Sequence, residues 1–381
     1  MKILVLGAGK QGGAAAFDLL RNPEVEQVGV ADADSESLEA TQARLSDRRI
    51  LLHHVDVIDT ESAVELLGPY DACLNAVSYW YNLDVTRAAI EAKTHVCDLG
   101  GSSEVVSQQL KLDTSAFEAG VTIVPDCGLA PGLATILAAH GIRRLDEANS
   151  VHIRVGDLPQ TPSPPFSYQL GSPVQGLIDK YSERAVLIRD GVRLAVEPLT
   201  EVEELEFPEP FGKLEAFNTA GGLSTLASTF AGKVRNLDYK TIRYPGHCAM
   251  MRPLRELGFF AREPIQVGDQ EVRPRELAAR ILGDALRGDD PDIVLVRVTV
   301  AGTKFGGRRR LEYELVDRAD ETTGMSALMR CTSFTASAIA QMLARGRIDR
   351  HGVVPQERCV PAEELIGELR ERGLKIVQRQ S

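Results

Sequence analysis

Several features that mark membrane, secreted or nucleic-acid-binding proteins are missing from this sequence. No apolar stretch approaches the roughly 20 residues of a transmembrane helix, and the apolar run at 3–8 meets glycine with no cleavage-site pattern after it. The six cysteines are scattered, without a CxxC pair or a histidine at metal-ligand spacing, so we predict reduced thiols and no metal. Lys and Arg (43) are outnumbered by Asp and Glu (54), which disfavours binding to nucleic acid or an anionic membrane. We therefore expect a soluble, cytoplasmic protein with a small-molecule ligand.

The first third of the chain alternates between strand and helix patterns. Short apolar runs bounded by glycine or polar residues predict strands at 2–6, 25–31, 50–55, 72–76, 95–97 and 121–124. The segments between them predict helices at 11–21, 35–45, 60–67, 83–92 and 104–119. Such alternation is typical of a doubly wound parallel sheet of the Rossmann type.

The pattern changes after a connecting helix predicted at 130–142. The following sequence is richer in proline and in two-residue alternation, with strands predicted at 192–196, 214–217, 293–301 and 311–316 and helices at 333–344 and 362–372. A chain of 381 residues is also long for one core. We predict a Rossmann domain over 1–135 and a mixed α/β catalytic domain with a largely antiparallel sheet over 136–324.

A GxGxxG element, Gly7-Ala8-Gly9-Lys10-Gln11-Gly12, follows the first strand and opens the first helix. In this context Gly7 permits a tight turn, Gly9 lets backbone approach a pyrophosphate, and Gly12 allows close packing of helix on strand. The helix N-terminus supplies free N–H groups and partial positive charge. Residues 7–12, including Lys10 and Gln11, are therefore predicted to bind a dinucleotide.

Acidic and amide residues at the next strand ends complete the predicted cofactor site. Asp32 ends the second strand, where a carboxylate binds the adenosine ribose and repels a 2′-phosphate, so we predict NAD rather than NADP. Asp56, after the third strand, is expected either to border the adenine or to cap a helix. Asn75 and Val77, at the end of the fourth strand, are expected near the ribose or nicotinamide.

Two aspartates end the last strands of the predicted sheet. Asp98 follows the fifth strand and Asp126 follows the sixth, so both should face the bound cofactor. Their carboxylates either bind a substrate ammonium or cap the helices that follow. Composition alone leaves both roles open.

The second domain carries one polar and aromatic cluster at 239–247. Lys240 and His247 can act as acid or base when their surroundings shift their pKa values, and Arg243 has the planar fork that binds a carboxylate. Tyr168, after a proline-rich loop, is a further hydrogen-bond donor, and the polar, glycine-rich loop 221–225 can admit a ligand to its backbone. A strand that ends in a Pro-Gly turn and merely exposes these groups is the alternative.

Three segments together resemble the saccharopine dehydrogenase-like family, and within it the bacterial L-lysine 6-dehydrogenases. They are 7–12, Pro-Asp-Cys-Gly-Leu-Ala-Pro-Gly at 125–132, and Lys-Thr-Ile-Arg-Tyr-Pro-Gly-His at 240–247. The resemblance implies a Rossmann domain, a mixed α/β catalytic domain, and a segment at 325–381 that packs back onto the Rossmann part. It implies NAD-dependent oxidative deamination of the ε-amino group of L-lysine to 2-aminoadipate 6-semialdehyde and ammonia, as in lysine degradation.

In that reaction Arg243 would hold the substrate carboxylate, Lys240 or His247 would move a proton, and Tyr168 would orient the substrate. Enzymes of this kind are often homo-oligomers, so we expect a dimer or a larger assembly. One alternative is a saccharopine dehydrogenase acting on a secondary amine, whose second carboxylated arm needs a further cation such as Arg235, Arg252 or Arg255. Another is a non-catalytic NAD-binding sensor.

Overall fold

The computed structural model describes residues 1–171, 173–208 and 210–381. The chain divides into two compact units. Unit 1 consists of Met1–Arg143, Ser224–Leu226 and Met329–Ile376, and unit 2 consists of Arg144–Leu223, Ala227–Leu328 and Val377–Ser381. In the described residues, no helix is long and apolar enough to cross a membrane.

The first part of unit 1 alternates between strands and helical segments. Its strands are β1 (Lys2–Leu6), β2 (Gln27–Asp32), β3 (Ile50–His54), β4 (Ala72–Asn75), β5 (His95–Asp98) and β6 (Thr122–Val124). Its helices are α1 (Lys10–Leu20), α2 (Ser35–Leu45), α3 (Thr60–Leu67), α4 (Asn82–Ala92), α5 (Ser103–Leu110), α6 (Asp113–Ala119) and α7 (Leu133–Arg143), with a short 3₁₀ helix at Tyr79–Tyr81. The single helix predicted at 104–119 is thus two helices.

Unit 2 contributes most of the middle of the chain. Its strands are β7 (Glu147–Pro159), β8 (Ala185–Arg189), β9 (Val192–Val196), β10 (Glu203–Phe207), β11 (Gly212–Asn218), β12 (Asn236–Arg243), β13 (Ile265–Val267), β14 (Gln270–Val272), β15 (Asp292–Lys304) and β16 (Gly307–Arg318). Its helices are α8 (Val174–Ser182), α10 (His247–Glu256) and α11 (Pro274–Ala285), while α9 (Leu226–Phe230) begins at the last residue of a unit 1 segment.

The C-terminal part of the chain is mostly helical. It contains α12 (Ala327–Ala344), β17 (Gly352–Val353), α13 (Gln356–Cys359), α14 (Ala362–Glu371) and β18 (Val377–Gln380). Within unit 1, α12 and the residue after α14 meet α1 at one buried carboxylate. Ser337 Oγ donates to Asp18 Oδ2 over 2.7 Å, and Arg372 Nε donates to the same oxygen over 2.8 Å.

Within the described residues of unit 1, seven parallel strands form a sheet in the order β17-β6-β5-β4-β1-β2-β3. The central strands are buried because helices cover both faces, which explains their continuous apolar runs. The order reverses at β1, and an open α/β sheet of this kind binds its ligand at the carboxyl ends beside that reversal. The predicted doubly wound sheet is confirmed.

The sheet of unit 2 is mixed. Its described strands run in the order β10-β11-β12-β7-β15-β16-β18, and β8 and β9 branch from β12. All pairs are antiparallel except β12 with β7, where Lys240 lies opposite Arg154. The predicted mixed, largely antiparallel sheet is confirmed. The returning segment was expected to extend over 325–381, whereas β18 pairs with β16 in unit 2.

Candidate functional site

The three glycines after β1 differ in the space around them. Gly9 is open on the side where a dinucleotide phosphate would approach, whereas Gly7 and Gly12 are tightly packed against backbone. A Cβ on Gly7 (φ +96°) would lie 2.9 Å from the carbonyl oxygen of Ala76, and one on Gly12 would lie 1.7 Å from that of Gly7. A Cβ on Gly9 would meet nothing within 4 Å. Helix α1 has Gly9 as its N-cap, and no side chain among the described residues forms a capping hydrogen bond there. The N–H groups at this helix terminus therefore fit a pyrophosphate.

The carboxylate of Asp32 is held in place at the end of β2. Its Oδ2 accepts the N–H of Ala8 over 2.6 Å, and its Oδ1 accepts the N–H of Asp34 over 2.9 Å. Among the described residues, no cation forms an ion pair with Asp32. Asp34 itself caps α2 by accepting the N–H of Glu36, so Asp32 is the carboxylate beside the glycine turn.

The other residues predicted on the glycine side differ in their surroundings. Lys10 is exposed at the start of α1, whereas both the carbonyl and the Oε1 of Gln11 accept the hydroxyl of Ser333 over 2.8 and 2.6 Å. Asp56 is exposed and accepts the N–H of Ile58 over 3.0 Å. The cap of α3 is Asp59, so the helix-capping alternative for Asp56 is wrong.

Asn75 shapes the loop after β4 instead of presenting its amide. Its side chain is buried, Nδ2 donates to Asn82 Oδ1 over 3.0 Å, and Oδ1 accepts the N–H of Val77 over 3.3 Å. The backbone N of Val77 would lie 3.1 Å from a Cβ on Gly7. The structure thus brings the Asn75–Val77 loop against the glycine turn, with the Val77 backbone facing it.

Asp98 is fully engaged by its neighbours at the end of β5. Its Oδ1 accepts the N–H groups of Gly100 (2.7 Å) and Asp126 (3.0 Å), and its Oδ2 accepts Gln109 Nε2 (2.8 Å). Helix α5 is capped by Ser102, so the capping alternative for Asp98 is wrong. Burial raises the pKa of Asp98, and the carboxylate ties the ends of β5 and β6 together.

Asp126 lies beside Asp98 with an unusual backbone, at φ +61°. Its carboxylate accepts the hydroxyl of Ser224, which lies in the polar loop 221–225, and a Cβ on Gly100 would lie 1.8 Å from its Oδ1. Burial, reinforced by the Asp98 carboxylate, raises the pKa of Asp126 to about 7. Asp126 can therefore exchange a proton near neutral pH, a property that its sequence position did not indicate.

The 3₁₀ helix at Tyr79–Tyr81 lies next to the loop that follows β5. The side chain of Tyr79 would lie within 2.9 Å of a Cβ on Gly101, so only glycine fits there. Trp80 packs on Tyr79 with ring centroids 4.3 Å apart and is 62% exposed.

In unit 2, Arg243 is almost fully buried in a polar pocket of side chains. Its Nη1 pairs with Asp157 Oδ1 at 3.1 Å, its Nε donates to Tyr181 Oη over 3.2 Å, and its guanidinium lies 4.2 Å from the ring centroid of Tyr168. Over residues 1–171, 173–208 and 210–381, Nη2 has no hydrogen-bond acceptor. The ion pair with Asp157 neutralises the buried charge but leaves these N–H donors available.

His247 is fixed as a neutral acceptor. Its Nδ1 lies 2.9 Å from the carbonyl oxygen of Phe166, which only accepts, so Nδ1 carries the hydrogen. Tyr181 Oη, 2.9 Å from Nε2, therefore donates to it. Burial and the nearby Arg243 lower the pKa of His247 to about 3. The result is a directed chain of hydrogen bonds from Arg243 through Tyr181 to His247.

Lys240 does not join this cluster, which corrects its grouping with Arg243 and His247. Successive side chains of β12 point to opposite faces, so Lys240 lies across the sheet from Arg243. Lys240 Nζ donates to Glu203 Oε2 over 2.8 Å and to the carbonyl of Glu201 over 2.7 Å. Tyr168, in contrast, lies in the cluster, where its hydroxyl is 3.4 Å from Asp157 Oδ2.

Three members of the unit 2 cluster were not predicted. Asp157 and Tyr181 belong to no recognisable motif, and neither does Lys180 on α8. Lys180 is partly buried, and its Nζ has no hydrogen-bond or ion-pair partner in the described chain. Burial lowers the pKa of Lys180, and Asp157 and Arg243 are near enough to influence that pKa. The sequence feature that could have pointed to Lys180 is its position next to Tyr181 on a short amphipathic helix.

Sequence models of two domains match nearly the whole chain. The saccharopine dehydrogenase NADP binding domain matches residues 3–124, and the saccharopine dehydrogenase C-terminal domain matches residues 128–374. The chain belongs to the saccharopine dehydrogenase family. This member is therefore an oxidoreductase of the amino-acid dehydrogenase type with a pyridine-nucleotide-binding domain, and the predicted family is confirmed.

Curated relatives and a solved structure agree with this assignment. Saccharopine dehydrogenase [NADP(+), L-glutamate-forming] of Pyricularia oryzae is 23% identical over 65% of this chain, which spans 56% of that enzyme. Carboxynorspermidine synthase of Vibrio cholerae is 23% identical over 95% of this chain and 93% of its own length. Saccharopine dehydrogenase (L-Glu forming) of Saccharomyces cerevisiae superposes with a TM-score of 0.80 at 16% identity, covering 100% of this chain and 99% of that chain, and so shares the fold.

Proposed function

We propose that this protein catalyses the NAD-dependent oxidative deamination of the ε-amino group of L-lysine, giving 2-aminoadipate 6-semialdehyde and ammonia. The observation that carries the proposal is the unit 2 cluster. There, Arg243 Nη2 and Lys180 Nζ are N–H donors without acceptors in the described chain, next to the carboxylate of Asp157. One carboxylate of an amino-acid substrate satisfies such donors, and Asp157 suits an ammonium.

The other arginines that flank the 239–247 segment in sequence already have partners, which supports a substrate with one carboxylate. Arg235 pairs with Asp190 and Arg255 pairs with Glu197. Arg252 Nε donates to the carbonyl of Leu199 over 3.0 Å. The second carboxylated arm of a saccharopine-like substrate needs a further cation, and two of these three arginines already pair with carboxylates, which supports lysine.

The preference for NAD rests on Asp32. A 2′-phosphate beside this carboxylate would meet like charge, and no cation of the described chain pairs with Asp32 to offset it. The matching family domain is described as NADP binding, so the proposed preference for NAD differs from that description. When bound, the nicotinamide accepts a hydride from the carbon that carries the amine.

The residues of unit 2 would hold and orient the substrate. Arg243 and Lys180 bind the carboxylate, and Tyr168 borders the same pocket of side chains. His247 keeps Tyr181 aligned under the guanidinium and stays neutral across the working pH range, because its pKa lies near 3. His247 therefore positions Arg243 and does not act as the acid or base that its sequence position suggested.

Formation of reduced cofactor and release of ammonia test this proposal. The protein is incubated with NAD or NADP and, separately, with L-lysine, L-ornithine and saccharopine. We expect absorbance of the reduced nucleotide with lysine and NAD, with equimolar ammonia. If the nucleotide is reduced with saccharopine but not with lysine, the substrate is a secondary amine and not lysine. If no amine leads to reduction of the nucleotide, the protein is better explained as a nucleotide-binding sensor.

Lys180→Met tests the carboxylate site directly. Loss of a charged hydrogen bond of about 1.5–3 kcal/mol predicts a roughly 10- to 150-fold rise in KM for lysine. The dissociation constant for NAD should not change. Lys233→Met, an exposed lysine of the same unit, is the matched control. Equal KM values in the two variants would exclude Lys180 from the site.

A further inference from the structure

Two residues with left-handed backbone touch each other in unit 1. Asp126 has φ +61° and Ser224 has φ +46°, and the Ser224 hydroxyl donates to Asp126 Oδ2. Non-glycine residues occupy this region at a cost of about 1 kcal/mol or more, and such residues cluster at functional sites. Asp126 and Ser224 are two such residues joined by a side-chain hydrogen bond, so the surrounding structure must hold both backbones in this conformation.

The surroundings of Asp126 are fitted to its carboxylate. It follows β6 at the carboxyl edge of the parallel sheet, where open α/β sheets bind their ligands. Gly100 is in contact with Oδ1, where a Cβ would lie 1.8 Å away, and the backbone of Gly101 lowers the pKa of the carboxyl group. Thr225, next to Ser224, has its hydroxyl 3.0 Å from both carboxylate oxygens of Glu357, which anchors the loop.

The charged groups that face Asp126 are acidic. They are Asp98, whose Oδ1 accepts the Asp126 N–H, and Glu357 of α13. Among the described residues, Asp126 has no ion pair with a cation. Burial and these two carboxylates favour the protonated form, whereas Ser224 and Gly101 favour the ionised form. Asp126 is thus a carboxyl group whose protonation is finely balanced by its neighbours.

We propose that Asp126 is the proton acceptor for the substrate amine and that Ser224 is its positioning residue. The inference rests on the proposed function, since it requires an amine substrate. An N–H bond of the substrate ammonium breaks, its electron pair stays on nitrogen, and the proton forms an O–H bond on the Asp126 carboxylate. The neutral amine can then lose a hydride from its carbon to NAD, the oxidant of the proposed reaction.

Infrared spectroscopy tests the proton site without any turnover. We expect the carbonyl band of a protonated carboxyl to disappear as pH rises through about 7 in the wild-type protein and to be missing in Asp126→Asn. In Ser224→Ala the transition should move to higher pH, because the hydroxyl stabilises the ionised form. Asp349→Asn, which removes an exposed carboxylate of the same unit, should retain the wild-type transition. The proposal is overturned if the spectrum of the wild-type protein minus that of Asp126→Asn contains no carboxyl band that changes with pH.

Kinetics with lysine and NAD test the catalytic role. The value of kcat/KM should rise with pH through about 7, because Asp126 must be ionised to accept a proton. We expect Asp126→Asn to lower kcat by roughly 10²- to 10⁴-fold and Ser224→Ala to move the rise to higher pH. A near-normal kcat and an unchanged pH profile in Asp126→Asn would refute the role. If the wild-type protein oxidises no amine, the proposed function fails, and the infrared titration still decides whether Asp126 holds the proton.

Discussion

Replacing Arg243 by methionine should destabilise unit 2 far more than an ordinary surface change. The guanidinium is 1% exposed, and its loss leaves the Asp157 carboxylate without its ion-pair partner and removes the N–H donor to the Tyr181 hydroxyl. Removing one member of a buried ion pair costs about 3–5 kcal/mol. The side chain of Asp157 is 18% exposed, so water offsets part of this cost and we take about 3 kcal/mol.

Calorimetry gives the assay for this prediction. For a unit of this size, 1 kcal/mol shifts Tm by roughly 2–4 °C, so Arg243→Met should lower the Tm of unit 2 by about 6–12 °C. The matched control is Arg235→Met, because Arg235 forms an exposed pair with Asp190 that is worth about 0–1 kcal/mol. If both variants melt within about 2 °C of each other, Arg243 does not stabilise unit 2 as its contacts indicate.

This stability cost also decides which variant can test substrate binding. A raised KM in an Arg243 variant would follow from a disturbed fold as readily as from a lost contact. Lys180 has no hydrogen-bond or ion-pair partner in the described chain, so its replacement removes a donor without leaving a buried group unpaired. The kinetic effect of Lys180→Met is therefore the more direct measure of carboxylate binding.

Three further predictions concern unit 1. Gly9→Ala should leave Tm unchanged but weaken NAD binding at least about 10-fold in calorimetric titration, whereas Gly12→Ala should lower Tm, because its Cβ would lie 1.7 Å from a carbonyl oxygen. Asp32→Ser should reduce the ratio of kcat/KM with NAD to that with NADP by about 10-fold or more, and an unchanged ratio would remove Asp32 from ribose selection. The pKa of Asp126 rises from 3.8 to about 7 on folding, so its contribution to stability is full below pH 3.8 and is lost as pH rises to 7. Asp126→Asn should remove roughly 4 kcal/mol of this pH dependence in denaturant unfolding, and an equal change of unfolding free energy with pH in both proteins would contradict the raised pKa.

The sequence was sufficient for the strands in the first part of unit 1 because their signals are local. Each buried strand is a short apolar run, and the glycine turn, α1 and β2 follow one another within the first 32 residues. Unit 2 was harder because its centre is the parallel pairing of β7 with β12, whose paired residues lie far apart in the chain. Nothing in the local pattern of either strand specifies that pairing.

The candidate site follows the same division. Strand ends placed Asp32, Asp98 and Asp126 at one edge of the sheet, but the engagement of Asp98 and the left-handed backbone of Asp126 depend on the loops that meet there. The error with Lys240 has a simpler cause. Lys240 is close to Arg243 in sequence, but this does not make their side chains close in space. Residues 236–243 form a strand, which puts the two side chains on opposite faces of the sheet.

The position of Trp80 determines what optical experiments on this protein will report. Trp80 is the single tryptophan of the chain, it is 62% exposed, and it belongs to unit 1. Intrinsic tryptophan fluorescence is therefore a signal from one unit, and its quenching by a bound nucleotide would report on that unit alone. A melt of unit 2, such as the one expected for Arg243→Met, needs a signal from residues of unit 2. Near-ultraviolet circular dichroism of Tyr168, Tyr181 and Tyr239 would detect it.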